Sequence, residues 1–87
     1  MKRLIQHLDT STDSFSYTVL GEDEPLYVVD SNGCLFEKGK EIGRFRLQGE
    51  QWYLVIEGQG VFMNGPQPGL FKLPEFELKA LTELVNK

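Results

Sequence analysis

The sequence predicts an α+β domain in which an antiparallel β-meander of about five to seven short strands, a curled sheet or small barrel, precedes one C-terminal α-helix. From Phe15 to Leu73, short apolar runs alternate with glycine-bearing turns at roughly ten-residue spacing, which is typical of antiparallel strands. The final segment repeats its apolar residues every three or four positions, which is typical of a helix. The 87 residues are enough for a single domain, residues 1–87.

The strands are predicted from β-branched and aromatic runs that end at turn residues. They are Phe15–Leu20, Leu26–Asp30, Cys34–Glu37, Ile42–Leu47, Gln51–Glu57, Val61–Asn64 and Leu70–Leu73. The strongest turn is Asp30–Gly33, because asparagine and glycine tolerate the positive φ that tight hairpins require. Residues Met1–Leu8 fit both a helical stripe and an edge strand, and we interpret them as a strand.

The helix is predicted to begin at Pro74, whose fixed φ suits the first helical position. Acidic residues follow where the helix dipole favours them. Phe76, Ala80 and Leu84 recur at four-residue spacing, and a second apolar row lies beside them. One face of this helix is therefore expected to pack on the sheet.

Several predicted strands are apolar on both faces. In Gln51–Glu57, for example, Trp52 and Leu54 point to one side while Tyr53 and Val55 point to the other. A helix of about fourteen residues is about 20 Å long and covers only part of one face. Either the sheet closes into a small barrel, or its second face packs on another subunit. Both alternatives stay open at this point.

Composition limits the classes of function. Thirteen acidic and nine basic residues give a net charge of −4, which is the opposite of the broad basic surface of a sequence-independent nucleic-acid binder. The single cysteine, Cys34, has no internal disulfide partner and sits in an apolar run, so we expect a buried thiol. The first residues do not fit a secretory signal, and no apolar run is long enough to span a bilayer. We expect a cytoplasmic protein.

The motifs that bind phosphates, dinucleotides or calcium all fail on spacing or residue type. Gly39 and Lys40 lack the upstream glycine of a phosphate-binding loop, and the pair Gly58 and Gly60 has Met63 at the third glycine position. One histidine and one cysteine are too few for a zinc cluster. We therefore predict no cofactor, no metal, no catalytic residues and no enzymatic activity.

The leading hypothesis is a small protein-binding module that self-associates as a dimer through an apolar sheet face, with its specific role unknown. The residues predicted nearest to that contact are Trp52, Tyr53, Tyr27 and Phe62, because aromatic side chains dominate protein interfaces.

Two alternatives belong to other classes. The first is binding of nucleic acid or another anionic ligand through the basic residues Lys38, Lys40, Arg44 and Arg46, where flanking aromatic residues supply stacking. The competing interpretation of these bases is that they keep an edge strand soluble. The second alternative is small-molecule binding in the mouth of a barrel near Trp52 and His7.

Overall fold

The computed structural model describes residues 1–49, 51–56 and 73–87. Its strands form one antiparallel sheet in which each pairs with the next along the chain. The elements are β1 (Leu4–Asp9), β2 (Ser14–Val19), β3 (Pro25–Val29), β4 (Cys34–Glu37), β5 (Lys40–Gln48), β6 (Gln51–Ile56) and α1 (Leu73–Val85). This arrangement confirms the predicted α+β meander with one C-terminal helix.

The ends of the chain differ in how well the sequence predicted them. The N-terminal segment is a strand, and it pairs with β2 over six consecutive residues. The predicted strand Val61–Asn64 lies outside the described residues. The predicted strand Leu70–Leu73 also lies outside them, apart from Leu73, which the structure places at the start of α1.

The turn between β3 and β4 shows why its residues form a hairpin. The Asp30 carboxylate accepts hydrogen bonds from the backbone N–H groups of Asn32 and Cys34, both at 2.9 Å. Gly33 adopts a φ of 82°, in the left-handed region that glycine enters without steric cost. The turn is therefore stabilised by its own side chain and begins β4 in register with β3.

The hairpin between β4 and β5 is a two-residue turn made of Lys38 and Gly39. Their φ values are 51° and 86°, and two positive values in succession are the mark of a turn whose twist matches that of the strands. The register then shifts between Leu35 and Phe36, which marks a bulge.

The sheet is open in the part of the chain that the structure describes. β1 pairs only with β2, and β6 pairs only with β5, so these two strands form the edges. Of the two predicted alternatives, the described strands show the open sheet and not the closed barrel.

The core lies between α1 and one face of the sheet, which we call the inner face. The side chains that are almost fully removed from solvent are Tyr17, Val19, Tyr27, Val29, Leu35, Phe45, Trp52, Leu54, Ile56, Phe76, Ala80 and Leu81. Phe45 of β5 meets Phe76 of α1 edge to face, with ring centroids 5.9 Å apart. This aromatic contact packs the apolar face of the helix against β5, and the helix also contacts the edge strands β1 and β6.

Candidate binding surface

The second face of the sheet, which we call the outer face, points away from α1. Successive residues of a strand alternate between faces, so the neighbours of the buried residues must lie here. They include Val28 of β3, Phe36 of β4, and Tyr53 and Val55 of β6, and all four are half-buried. The outer face is therefore partly apolar although no described helix covers it.

The pairing register places two arginines inside this apolar surface. In one row across the sheet, Arg44 of β5 lies between Cys34 of β4 and Val55 of β6. In the next row, Arg46 lies beside Tyr53. Both guanidinium groups belong to exposed residues two positions apart on one strand, so they project from the same face.

Arg44 is only weakly engaged by its neighbours. Its Nη2 atom lies 4.0 Å from the Glu41 carboxylate, and both side chains are nearly half exposed. It also donates a long hydrogen bond of 3.8 Å to the Cys34 sulfur. An ion pair this long and this exposed contributes little, so the Arg44 charge is available to a ligand.

The residues predicted for a protein interface are divided between the two faces. Trp52 and Tyr27 lie in the core against the inner face, where they are 8% and 3% exposed. Tyr53 lies on the outer face, and its hydroxyl donates a hydrogen bond to the exposed side chain of Gln51. Phe62 is outside the described residues. Among the described predicted residues, Tyr53 is therefore the one that a partner can reach.

The four predicted basic residues are likewise only partly brought together. Lys38 lies in the turn between β4 and β5, and Lys40 pairs across that hairpin with Glu37. Arg44 and Arg46 lie further along β5, on the outer face. Arg44 and Arg46 therefore lie on the same face as Tyr53, whereas Lys38 and Lys40 lie at the end of the hairpin.

A buried polar cluster joins the inner face to the helix. Gln6 of β1 donates hydrogen bonds of 2.9 Å to the Tyr17 hydroxyl and to the Pro74 carbonyl. The Tyr17 hydroxyl in turn donates to Glu77 of α1. Tyr17 and Glu77 are 0% and 3% exposed. Tyr17 and Glu77 are thus closed to solvent while Gln6 is half-buried, and the cluster ties the helix to β1 and β2.

Burial governs the acid–base properties of this cluster. Removal from water raises the pKa of Glu77 to about 7, while the hydrogen bond from Tyr17 acts in the opposite direction. Burial also raises the pKa of Tyr17 well above its ordinary value, and the negative charge of Glu77 adds to that effect. Elsewhere on the inner face, burial and the neighbouring Glu37 raise the pKa of Tyr27 to about 12.

Two residues, Phe36 and Glu77, were not predicted to have these roles, although the sequence pattern around each indicates its position. Phe36 was expected in a strand but not at a surface, and its alternation with the buried Leu35 assigns it to the outer face. Glu77 precedes Ala80 and Leu81 by three and four residues, so it lies on the apolar stripe of the helix. An acidic residue on such a stripe indicates a buried polar contact.

Comparison with known proteins assigns no relationship: no family model, no curated protein and no solved structure matches this chain. The residues that the structure describes contain no group of three or more histidine, cysteine or acidic side chains placed to hold a metal ion. Within the same residues, no helix has the length and apolar character needed to cross a membrane.

Proposed function

We propose that this chain is a small non-enzymatic protein-binding module that self-associates, and that its outer face is the surface that receives a protein partner. The observation that carries the proposal is the register that places Arg44 beside the half-buried Val55 and Arg46 beside the half-buried Tyr53. Phe36 lies on the same face, opposite Glu41. Arginine and aromatic side chains on an apolar background are the residues that contribute most to protein interfaces.

The charges on the outer face favour a partner with acidic groups over a second copy stacked face to face. A two-fold axis through the apolar centre of this face would bring Arg44 and Arg46 close to the same arginines of the other copy. Like charges brought together at an interface cost on the order of several kcal/mol. A partner surface with carboxylates between apolar side chains matches both features.

Binding of nucleic acid is the second candidate function, because two arginines beside Tyr53 are also a set that holds phosphates and stacks a base. Two observations favour protein over nucleic acid. The whole chain carries a net charge of −4. The two lysines, which would extend a phosphate-binding surface, lie at the hairpin end instead.

A titration followed by NMR shifts of the isotopically labelled protein tests the partner class. The probes are a peptide that alternates glutamate with leucine and phenylalanine, the same peptide with lysine for glutamate, and an oligothymidine. We expect the acidic peptide to shift the amides of Phe36, Tyr53 and Val55, and we expect salt to weaken its binding.

The matched variants are R44A/R46A and K38A/K40A, which each remove two positive charges from β5 or its hairpin. The first is expected to weaken binding of the acidic peptide, and the second to leave it nearly unchanged. Equal effects of the two variants, or shifts that map away from the outer face, would contradict the proposal. Shifts produced by oligothymidine and not by the acidic peptide would favour the second candidate.

Self-association is tested by the mass of the protein in solution. Sedimentation equilibrium over a wide concentration range should show a reversible approach to twice the chain mass of 9.9 kDa. A chain that remains monomeric up to its solubility limit does not self-associate, and this part of the proposal then fails.

A further inference from the structure

Among the described residues, one edge of the strand β1 pairs with no other strand. The Leu20 N–H group donates to the Arg3 carbonyl at 2.8 Å, so Arg3 and every second residue after it direct their backbone groups at β2. Because the direction alternates along the strand, the N–H and C=O groups of Leu4, Gln6 and Leu8 point away from β2. No strand of the described residues pairs there.

β1 lacks three of the features that protect edge strands, although α1 packs against it. Natural edges carry proline, lysine or a bulge. The segment Leu4–Asp9 contains neither proline nor lysine, and its register with β2 is unbroken. Ile5 and Leu8 are 40% and 55% exposed. In the part of the chain that the structure describes, this edge is therefore unpaired, and apolar side chains flank it.

A side chain directly after the helix marks where the unpaired stretch begins. Asn86 accepts a hydrogen bond of 2.8 Å from the Lys2 N–H group and donates one of 2.9 Å to the Lys2 carbonyl. The same amide also donates to the Thr82 carbonyl at 2.8 Å, which ties it to α1. Lys2 is thereby satisfied, and the unpaired backbone groups run from Leu4 to Leu8.

We propose that the free edge of β1 pairs with β1 of a second copy of this chain, antiparallel and centred on Gln6. This inference rests on the proposed self-association and names the element that produces it. Leu4 of each copy lies opposite Leu8 of the other, and the two Gln6 residues face one another. Each of these three pairs exchanges two backbone hydrogen bonds.

Charge complementarity selects this register. Centring on Gln6 places Arg3 opposite Asp9 of the second copy, twice in the dimer, on the outer face. Shifting one copy by two residues in either direction places Arg3 opposite His7 or Ser11 of the second copy. Only two of the three hydrogen-bonded pairs then remain. Opposite charges across strands are favourable and like charges are unfavourable, so the centred register is preferred.

The pairing also explains how self-association and partner binding coexist. A two-fold axis perpendicular to the sheet keeps residues on their own face, so the outer faces of both copies lie on one side of a continuous sheet. Arg44 and Arg46 then remain far from the axis, because β5 lies four strands away from β1. The dimer presents two copies of the partner-binding surface side by side.

The test uses two charge reversals, R3D and D9R, in the full chain. In either variant alone, every Arg3–Asp9 position of the dimer holds two like charges. In an equal mixture, the heterodimer has opposite charges at both positions. Sedimentation equilibrium should show each variant alone dimerising about tenfold more weakly than the wild type, or more weakly still, and the mixture recovering.

A second pair of variants tests the edge without altering the charge pair. L8K adds a positive charge beside the free edge, and L47K adds one at a similarly exposed leucine on β5. L8K is expected to weaken the dimer and L47K to leave it unchanged. Circular dichroism confirms that each variant is folded before its mass is compared.

The outcomes separate this inference from the proposed function. A wild-type chain that stays monomeric contradicts both. If the wild type dimerises and the R3D, D9R and L8K variants dimerise with the same affinity, self-association stands but pairing through β1 is overturned. Single variants that are weakened without recovery in the mixture overturn the register centred on Gln6.

Discussion

Gly43 allows β5 and β6 to approach each other more closely than any side chain would permit. A Cβ atom built at this position would lie 2.2 Å from the Val55 carbonyl oxygen and 3.1 Å from the Ile56 Cα atom. Both contacts are with backbone of the neighbouring strand, so neither can be relieved by rotating a side chain. The strands would have to separate.

We expect Gly43→Ala to lower the free energy of unfolding by about 3 kcal/mol or more, at the upper end for overpacked sites. The control is Gly21→Ala, whose new Cβ meets no atom within 4 Å and which has a φ of 93°. Its cost should be the backbone strain alone, about 1–2 kcal/mol. Urea unfolding followed by fluorescence of the single tryptophan, Trp52, measures both. Equal losses in the two variants would show that the approach of β6 is not the cause.

The alternation of side chains along a strand predicts which residues share a face of the sheet. Period two correctly separates Trp52 from Tyr53 and Tyr27 from Val28, because it follows from strand geometry. It does not say which set faces the helix, since both sets are apolar. That choice depends on the docking of α1, and the docking places Trp52 and Tyr27 in the core.

At the scale of the element, the helix is held by apolar packing and by the buried Gln6–Tyr17–Glu77 cluster. The spacing of Phe76 and Ala80 was enough to predict the helix and its buried face. The contacts of this cluster could not be predicted, because Gln6 and Tyr17 lie 71 and 60 residues before Glu77 in the chain. Nothing local in the sequence encodes contacts of that separation.

The raised pKa of Glu77 makes helix docking depend on pH. Its ordinary pKa is 4.5 and its value in the fold is about 7, so the folded state binds the proton more tightly than the unfolded state. The resulting stabilisation is complete below about pH 4.5, is lost as the pH rises to about 7, and stays lost above that. Its size is on the order of 3 kcal/mol for this shift.

We expect Glu77→Gln to remove this dependence and to raise the free energy of unfolding at pH 8 relative to the wild type. Glutamine keeps an acceptor for the Tyr17 hydroxyl and carries no charge to bury. Glu83→Gln on the exposed side of the same helix is the control and should follow the wild-type pH profile. Urea unfolding between pH 4 and pH 8 compares the three. If Glu77→Gln parallels the wild type throughout, Glu77 titrates normally in the fold.

At the scale of the whole molecule, the sequence predicted a meander but left closure open. Each hairpin is specified by local residues, such as Asn32 and Gly33 in the turn between β3 and β4. The order of the strands in the sheet could therefore be predicted. Closure requires the first and last strands to meet, which depends on the accumulated twist and stagger of every pair between them. The described strands leave β1 and β6 apart, and this separation creates the edge on which dimerisation is proposed.

The proposed pairing through β1 predicts that thermal stability depends on protein concentration, because a dimer formed only by folded chains shifts unfolding by mass action. For a domain of this size, each tenfold rise in concentration should raise the Tm by about 3–5 °C while the protein is mainly dimeric. L8K should flatten this dependence and L47K should retain it, since only Leu8 lies beside the free edge. Differential scanning calorimetry across the concentrations used for sedimentation measures it. The contradicting result is a wild-type Tm that stays constant over concentrations at which sedimentation shows a dimer. The chains would then remain associated when they unfold. Pairing through the native edge of β1 does not allow this, because it requires folded strands.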